Sequence, residues 1–226
     1  MSESFGLYLV LTDPLTGYEA CAAAAVETGV RYVQLRMKKR PRQEVLETAR
    51  RLRRVTAGSG TLFIVNDNVE IAVEADADGV HLGQDDMTLT EARRLWPSAG
   101  KVFGLSTHNE EQEVRARELA PDYIGVGPVF PTPTKEKPDP TLGLERMGRI
   151  VRASPLTTVP IGGIDKDNLP QVLAEGAVNY CVLRAVNLAP NPKAAILALQ
   201  ETWRRYSPAS MGNASGASSR KSRPDI

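Results

Sequence analysis

The chain is short of cysteine, of aromatic residues, of long apolar runs and of net charge, and each shortage removes a class of protein. Only Cys21 and Cys181 are present, in an alanine-rich and an apolar segment without ligand-like spacing. A disulfide framework or a zinc site therefore gives way to two buried reduced thiols. Aromatics are 5% of the chain, too few for the stacking platforms of single-strand nucleic-acid binders. The longest alanine run, Ala22 to Ala25, falls far below the roughly 20 apolar residues that span a bilayer. A formal net charge of +1 provides no global basic field for nucleic acid and no polybasic face for an anionic membrane. The acidic start, Met1 to Gly6, carries no signal-peptide pattern, so the expected location is the cytoplasm. No dinucleotide fingerprint, no Walker motif and no Cys or Ser beside a credible His base can be read. The expected partners are small molecules, any anion recognition must be local, and a homo-oligomer is left open.

What is present is a repeat. Of the 226 residues, 42% are hydrophobic and 24% charged, enough for one sizeable core. Short apolar runs alternate with amphipathic ones. Strands are expected at Leu7 to Leu11, Arg31 to Leu35, Leu62 to Val65, Gly79 to Leu82, Val102 to Leu105, Tyr123 to Val126, Thr157 to Ile161 and Tyr180 to Leu183. Each is followed by a helical stretch. Start and stop signals support several of these: Gly29 after the first, Pro41 before the second, the capping box Thr88-x-x-Glu91 before the fourth, and Asn191-Pro192 before the last. Eight strand-then-helix units in the first 206 residues average about 26 residues each, which suits a single-domain TIM (β/α)8 barrel of compact size. A doubly wound open sheet is the alternative topology. Pro160 in the seventh strand should end its regular ladder at about Val159. From Ser207 to Ile226 the composition turns Ser- and Gly-rich without apolar periodicity, and a disordered tail is expected there.

Parallel α/β architectures place chemistry at the carboxyl ends of their strands. Those positions are polar in this chain. Gln34, Arg36 and Lys38 share one face by period two, so three donors converge on one anion, Arg as a fork and Lys as a point charge. Asp67 and Asp86 end neighbouring strands above that cluster, in the pattern by which carboxylates and phosphate oxygens share magnesium. Asp85 fits a simpler role at a helix N-terminus. His81 reads as an oriented structural histidine, and His108 as part of the fifth helix cap. The proline-rich segment from Gly127 to Leu142 is too long for an ordinary connector and supplies Thr132, Thr134 and Lys135. Gly162-Gly163 allows backbone amides to approach a phosphate at the start of the seventh helix. Two anion sites thus emerge, one around Arg36, Lys38, Lys135 and a metal, the other around Gly163. With no nucleophile, chemistry driven by stabilising a departing anion fits best.

Gln34-x-Arg36-x-Lys38, Asn66-Asp67, His81-Leu-Gly-Gln-x-Asp86, Gly104-x-Ser106, Gly127-Pro-x-Phe-x-Thr132-x-Thr134-Lys135 and Gly162-Gly163-Ile164 resemble, in order, the motifs of the thiamine-phosphate synthase family. The resemblance spans roughly residues 7 to 190. It implies a barrel transferase that joins hydroxymethylpyrimidine diphosphate to hydroxyethylthiazole phosphate, giving thiamine phosphate and diphosphate with Mg2+ as cofactor. By the same resemblance Gln34, Arg36, Lys38, Asn66, Ser106 and Lys135 hold the pyrimidine diphosphate. Arg36, Lys38, Lys135 and Ser106 are the catalytic set among them, and Asp67 and Asp86 ligate the metal. Thr132, Thr134, Gly163 and the Leu183-Arg184 pair lie at the thiazole phosphate. The implied mechanism is dissociative, diphosphate leaving before the thiazole nitrogen attacks. The chain departs from the pattern at Arg184, where the family commonly has Ser; a charge-assisted contact is expected to replace a neutral one. A related thiazole tautomerase and a non-catalytic phosphate sensor are the alternatives. The tautomerase has no use for the combined cation and carboxylate set.

Overall fold

The computed structural model describes residues 4–132 and 140–207. In chain order its elements are β1 (Gly6–Leu11), α1 (Tyr18–Glu27), β2 (Tyr32–Leu35), α2 (Arg42–Thr56), β3 (Leu62–Asn66), α3 (Val69–Glu74), β4 (Gly79–Leu82), α4 (Leu89–Leu95), β5 (Val102–Thr107), α5 (Glu110–Leu119), β6 (Tyr123–Val126), α6 (Gly143–Ala153), β7 (Thr158–Pro160), α7 (Leu169–Ala174), β8 (Asn179–Val182), α8 (Arg184–Asn187) and α9 (Pro192–Tyr206). All eight strands run parallel, in the order β7-β6-β5-β4-β3-β2-β1-β8.

Closure decides between the barrel and the open sheet. β1 pairs with both β2 and β8, and a bridge between Ile161 and Cys181 joins the two ends of the strand order. The sheet is a nearly closed eight-stranded barrel, not a doubly wound one. Its seam lies between β7 and β8. The ladder with β6 runs one residue past the expected limit, Val126 pairing with Pro160. The reason is directional: Thr157 O and Ile161 N bond to β6, so by alternation Pro160 turns its hydrogen-less nitrogen toward β8. The one strand edge that tolerates proline is the edge where pairing is thinnest.

The period of two sorts the side chains. On β1, Leu7, Leu9 and Leu11 face the helices and join the large outer core, whereas Tyr8 and Val10 face inward. Tyr32, Ile64, Tyr123, Val159 and Cys181 complete the interior cluster. Tyr8 stacks on Tyr32 at a centroid distance of 5.3 Å, and Phe5 packs edge-on below at 4.7 Å. A chain with few aromatics thus places four of them in the lumen, closing its amino-terminal end. Both cysteines are free and buried, as expected.

The helix signals are realised locally. Thr88 and Glu91 form the reciprocal capping box, and Asn191 accepts from the Ala194 amide with Pro192 at the first helical position. α8 is an element beyond the eight expected repeats; it begins at Arg184, one residue after Leu183, which itself lies just outside β8. α7 begins only at Leu169, five residues after Ile164, so Gly162 and Gly163 sit in a loop and not at that helix's start. Ser207 is buried at the end of α9, and residues 208–226, where the tail is expected, lie outside the described residues. No helix among the described residues is long and apolar enough to cross a membrane.

Candidate active site

The carboxyl ends of the strands open onto one cavity of about 740 Å3. Of the residues expected at a site, Gln34, Arg36, Lys38, Asn66, Asp67, Asp86, Ser106, Thr132, Gly163, Leu183 and Arg184 all line it. Thr134 and Lys135 lie outside the described residues.

One side is built from charge. Gln34 is buried at the floor within β2, Arg36 is half-buried just past the strand's end, and Lys38 is exposed at the rim in the turn that follows. Burial pushes the Arg36 guanidinium down from its ordinary range, and the nearby Asp67 carboxylate opposes that shift. Lys38 forms an ion pair with Asp67. Asp67 follows β3 with a left-handed backbone, φ 64°, while its amide still donates to His81 O at 2.7 Å. That conformation costs most residues about 1–3 kcal/mol and is best tolerated by Asn, Asp and Gly. It turns the chain out of the ladder and sets the carboxylate beside Lys38. Asp86 reaches back to accept from the Gly83 amide at 2.6 Å, and a Cβ at position 83 would stand 2.9 Å from that oxygen. The Gly in His81-Leu-Gly therefore makes room for the carboxylate three residues on. Burial and the adjacent Asp67 carboxylate raise the Asp86 carboxyl above its ordinary range. Two crowded carboxylates beside two cations form a donor set suited to a hard divalent ion whose remaining positions are filled by ligand oxygens. Among the described residues no group of three or more His, Cys, Asp or Glu gathers to hold a metal alone.

The opposite side is built from backbone. Val129 N donates to Ile161 O at 2.8 Å and Phe130 N to Gly162 O at 3.0 Å, strapping the start of the long loop to the end of β7. A Cβ at Gly127 would lie 2.1 Å from Ile161 O, and one at Gly162 would lie 2.6 Å from Pro128 Cα. Gly162 and Gly163 also have positive φ, 106° and 67°. These glycines are needed for the approach of two chain segments, a reason additional to any ligand. Asn168 then organises the turn, donating to Gly163 O at 2.8 Å and accepting from the Asp165 amide at 2.9 Å. Arg184 stands exposed at the rim.

The floor carries residues that strand-end reasoning missed. Gln34 Nε2 donates to the Tyr8 hydroxyl at 2.9 Å, Tyr8 and Tyr123 share a hydrogen bond at 2.7 Å, and Tyr123 meets His81 Nδ1 at 3.0 Å. His81 Nε2 meets Ser106 Oγ at 2.9 Å. His81 is thus held at both nitrogens, the oriented histidine that was expected. Inward-facing tyrosines at alternate strand positions were the available signal for the other two. His108 does more than cap: its amide donates to Gln112 Oε1, and its Nδ1 donates to Gly127 O at 2.7 Å, tying β5 to the loop after β6.

The family model described as thiamine monophosphate synthase matches residues 7–186. A thiamine-phosphate synthase of Archaeoglobus fulgidus is 41% identical over 208 residues, covering 91% of this chain and 97% of that one. Another from Synechocystis sp. is 41% identical over 206 residues, covering 91% of this chain but 59% of the longer relative. The solved thiamine phosphate pyrophosphorylase from Pyrococcus furiosus superposes with a TM-score of 0.81 at 33% identity, over 89% of this chain and 96% of that one.

Proposed function

Because the chain belongs to the thiamine monophosphate synthase family, a family of transferases, we propose a division of labour within the cavity for that reaction. The charged side takes hydroxymethylpyrimidine diphosphate and the glycine side takes hydroxyethylthiazole phosphate. The observation that carries this reading is the convergence of Arg36, Lys38, Asp67 and Asp86 on the same cavity as the Gly162-Gly163 loop.

Gln34, Asn66 and Ser106 bind the pyrimidine end, and Arg36 and Lys38, joined by Lys135, bind the diphosphate. Asp67 and Asp86 would hold Mg2+, which would supply neutralisation of the leaving group's charge. The carbon–oxygen bond to diphosphate breaks with its electron pair leaving on oxygen, where the fork of Arg36 and the ammonium of Lys38 stabilise the growing negative charge. The pyrimidine-methyl carbon is left electron-poor. The thiazole ring nitrogen, positioned by a phosphate held at Thr132, Thr134, Gly163 and the Leu183-Arg184 segment, donates its lone pair to that carbon. No protein nucleophile enters, in keeping with the lack of one in the sequence. Exclusion of water from the cavity would protect the cationic carbon from capture.

The test is an incubation of the purified chain with both substrates, with and without magnesium, reading diphosphate and thiamine phosphate. Stoichiometric formation of both products, dependent on metal, is expected. Absence of product under any condition would overturn this reading, and metal-independent isomerisation of a thiazole carboxylate phosphate would replace it with the tautomerase one.

A further inference from the structure

We propose that Tyr8, Tyr123 and His81 are positioning residues that form a one-way hydrogen-bond relay, leaving Gln34 with a bare acceptor and Ser106 with a free donor at the cavity. Such a floor selects a ring that offers both an amino donor and an unprotonated ring nitrogen. The proposal rests on the synthase reading and deepens it, since it says how the floor would recognise an aminopyrimidine over an oxygen-substituted one.

The direction follows from the Gln34 amide nitrogen facing Tyr8, together with a count of hydrogens. Tyr8 and Tyr123 are each 2% exposed, and burial pushes both phenols up from their ordinary range, so both keep their protons. Each phenol has one hydrogen to give. The Tyr8 oxygen already accepts from Gln34 Nε2, and its only other partner among the described residues is Tyr123. If Tyr8 did not donate to Tyr123, its hydrogen would be buried without an acceptor, an expensive arrangement. Tyr123 must then pass its own hydrogen on to His81 Nδ1. A ring nitrogen that accepts carries no hydrogen, so the neutral imidazole has its proton on Nε2 and donates to Ser106 Oγ. The Ser106 hydroxyl hydrogen and the Gln34 carbonyl oxygen remain, one at each end of the chain, in residues that line the cavity. Gln84 Nε2 donates to the Ser106 backbone carbonyl at 2.6 Å, which anchors the main chain at that residue.

Gly104 gives independent support. A Cβ there would lie 2.2 Å from Tyr123 Cζ and 2.6 Å from His81 Nδ1, so the middle link of the relay needs a residue without a side chain. This also accounts for the Gly in Gly104-x-Ser106.

Nitrogen-15 NMR of the neutral imidazoles tests the relay directly. His108 is the internal reference, because its Nδ1 donates to a carbonyl and must carry hydrogen. The two histidines should show opposite tautomers, Nε2–H at His81 and Nδ1–H at His108. In parallel, calorimetric binding of the 4-amino and 4-hydroxy pyrimidine diphosphates should show preference for the amino compound. Tyr123→Phe should reduce that preference about tenfold and leave thiazole phosphate binding within about twofold. Nδ1–H at His81, or an unchanged preference in Tyr123→Phe, would overturn the proposal; equal weakening of both ligands would show a merely structural role and overturn it too. Failure of the synthase reading is separately visible: no thiamine phosphate would form while the tautomers and the binding preference stay as stated.

Discussion

The two sides of the cavity, proposed above to hold one phosphate group each, are built from different materials. The side formed by β2, β3 and β4 uses side-chain charge: Arg36 and Lys38 against Asp67 and Asp86. The side formed by β6, β7 and β8 is built from close-packed backbone at Gly127, Gly162 and Gly163, and among the described residues that line it the cation is Arg184, exposed at the rim. Charge on flexible stems can follow a leaving group as its negative charge grows, and it can be tuned by a metal. A backbone cradle cannot move, so it suits a phosphate that stays attached throughout. Glycine also means different things on the two sides. At Gly83 an added Cβ would meet only the end of a carboxylate, at 2.9 Å, whereas at Gly162 it would meet main chain at 2.6 Å.

The largest effect expected from breaking this contrast is on the charged side. Asp67→Asn and Asp86→Asn should each lower turnover by about a hundredfold or more in steady-state assays, while thiazole phosphate binding stays intact. Asn is chosen because it tolerates the left-handed backbone at position 67; full activity in both variants would remove the metal assignment. Gly162→Ala should instead cost about 1–3 kcal/mol in denaturant unfolding, because of its positive φ and the contact with Pro128, and should weaken thiazole phosphate binding. Gly83→Ala should cost under about 1 kcal/mol, since Asp86 can swing aside, yet should raise the magnesium requirement. If both alanines act alike, the two sides do not differ as described. Arg184→Ala should raise the Michaelis constant for the thiazole phosphate by roughly tenfold and leave that for the pyrimidine diphosphate unchanged. The smallest effect lies outside the cavity. Arg146, bonded to Glu110 and assisted by Arg149, holds that carboxyl down at about 2. A depressed carboxyl stabilises the fold above the ordinary Glu range and loses that contribution as pH falls toward 2. The pair is solvent-exposed, so Glu110→Gln should cost only ~0.5 kcal/mol at neutral pH, nothing in strong acid, and should alter neither Michaelis constant.

The charged side was the more legible of the two in the sequence. Period two along a strand is enough to put Gln34 and Arg36 on one face, Lys38 reaches the same cavity from the turn after β2, and the carboxylates follow in the segments after the next two strands. The glycine side was legible in position but not in reason. Close approach between residues 127–130 and 161–163 depends on how two loops pack, and the intervening turn that delays α7 to Leu169 leaves no periodic trace. The floor was the least legible. Tyr8 and Tyr123 are 115 residues apart and meet only across a closed lumen, so their contact is a property of closure and not of local pattern. The same holds for the seam, where Pro160 is acceptable because it faces β8 and not β6.

The proposed division of the cavity into a metal-dependent and a metal-independent half is tested most directly by calorimetry of each substrate alone, with magnesium and after chelation. Removal of magnesium should weaken the pyrimidine diphosphate by about tenfold or more and leave the thiazole phosphate within about twofold. Equal losses for both substrates, or no loss for the diphosphate, would contradict it.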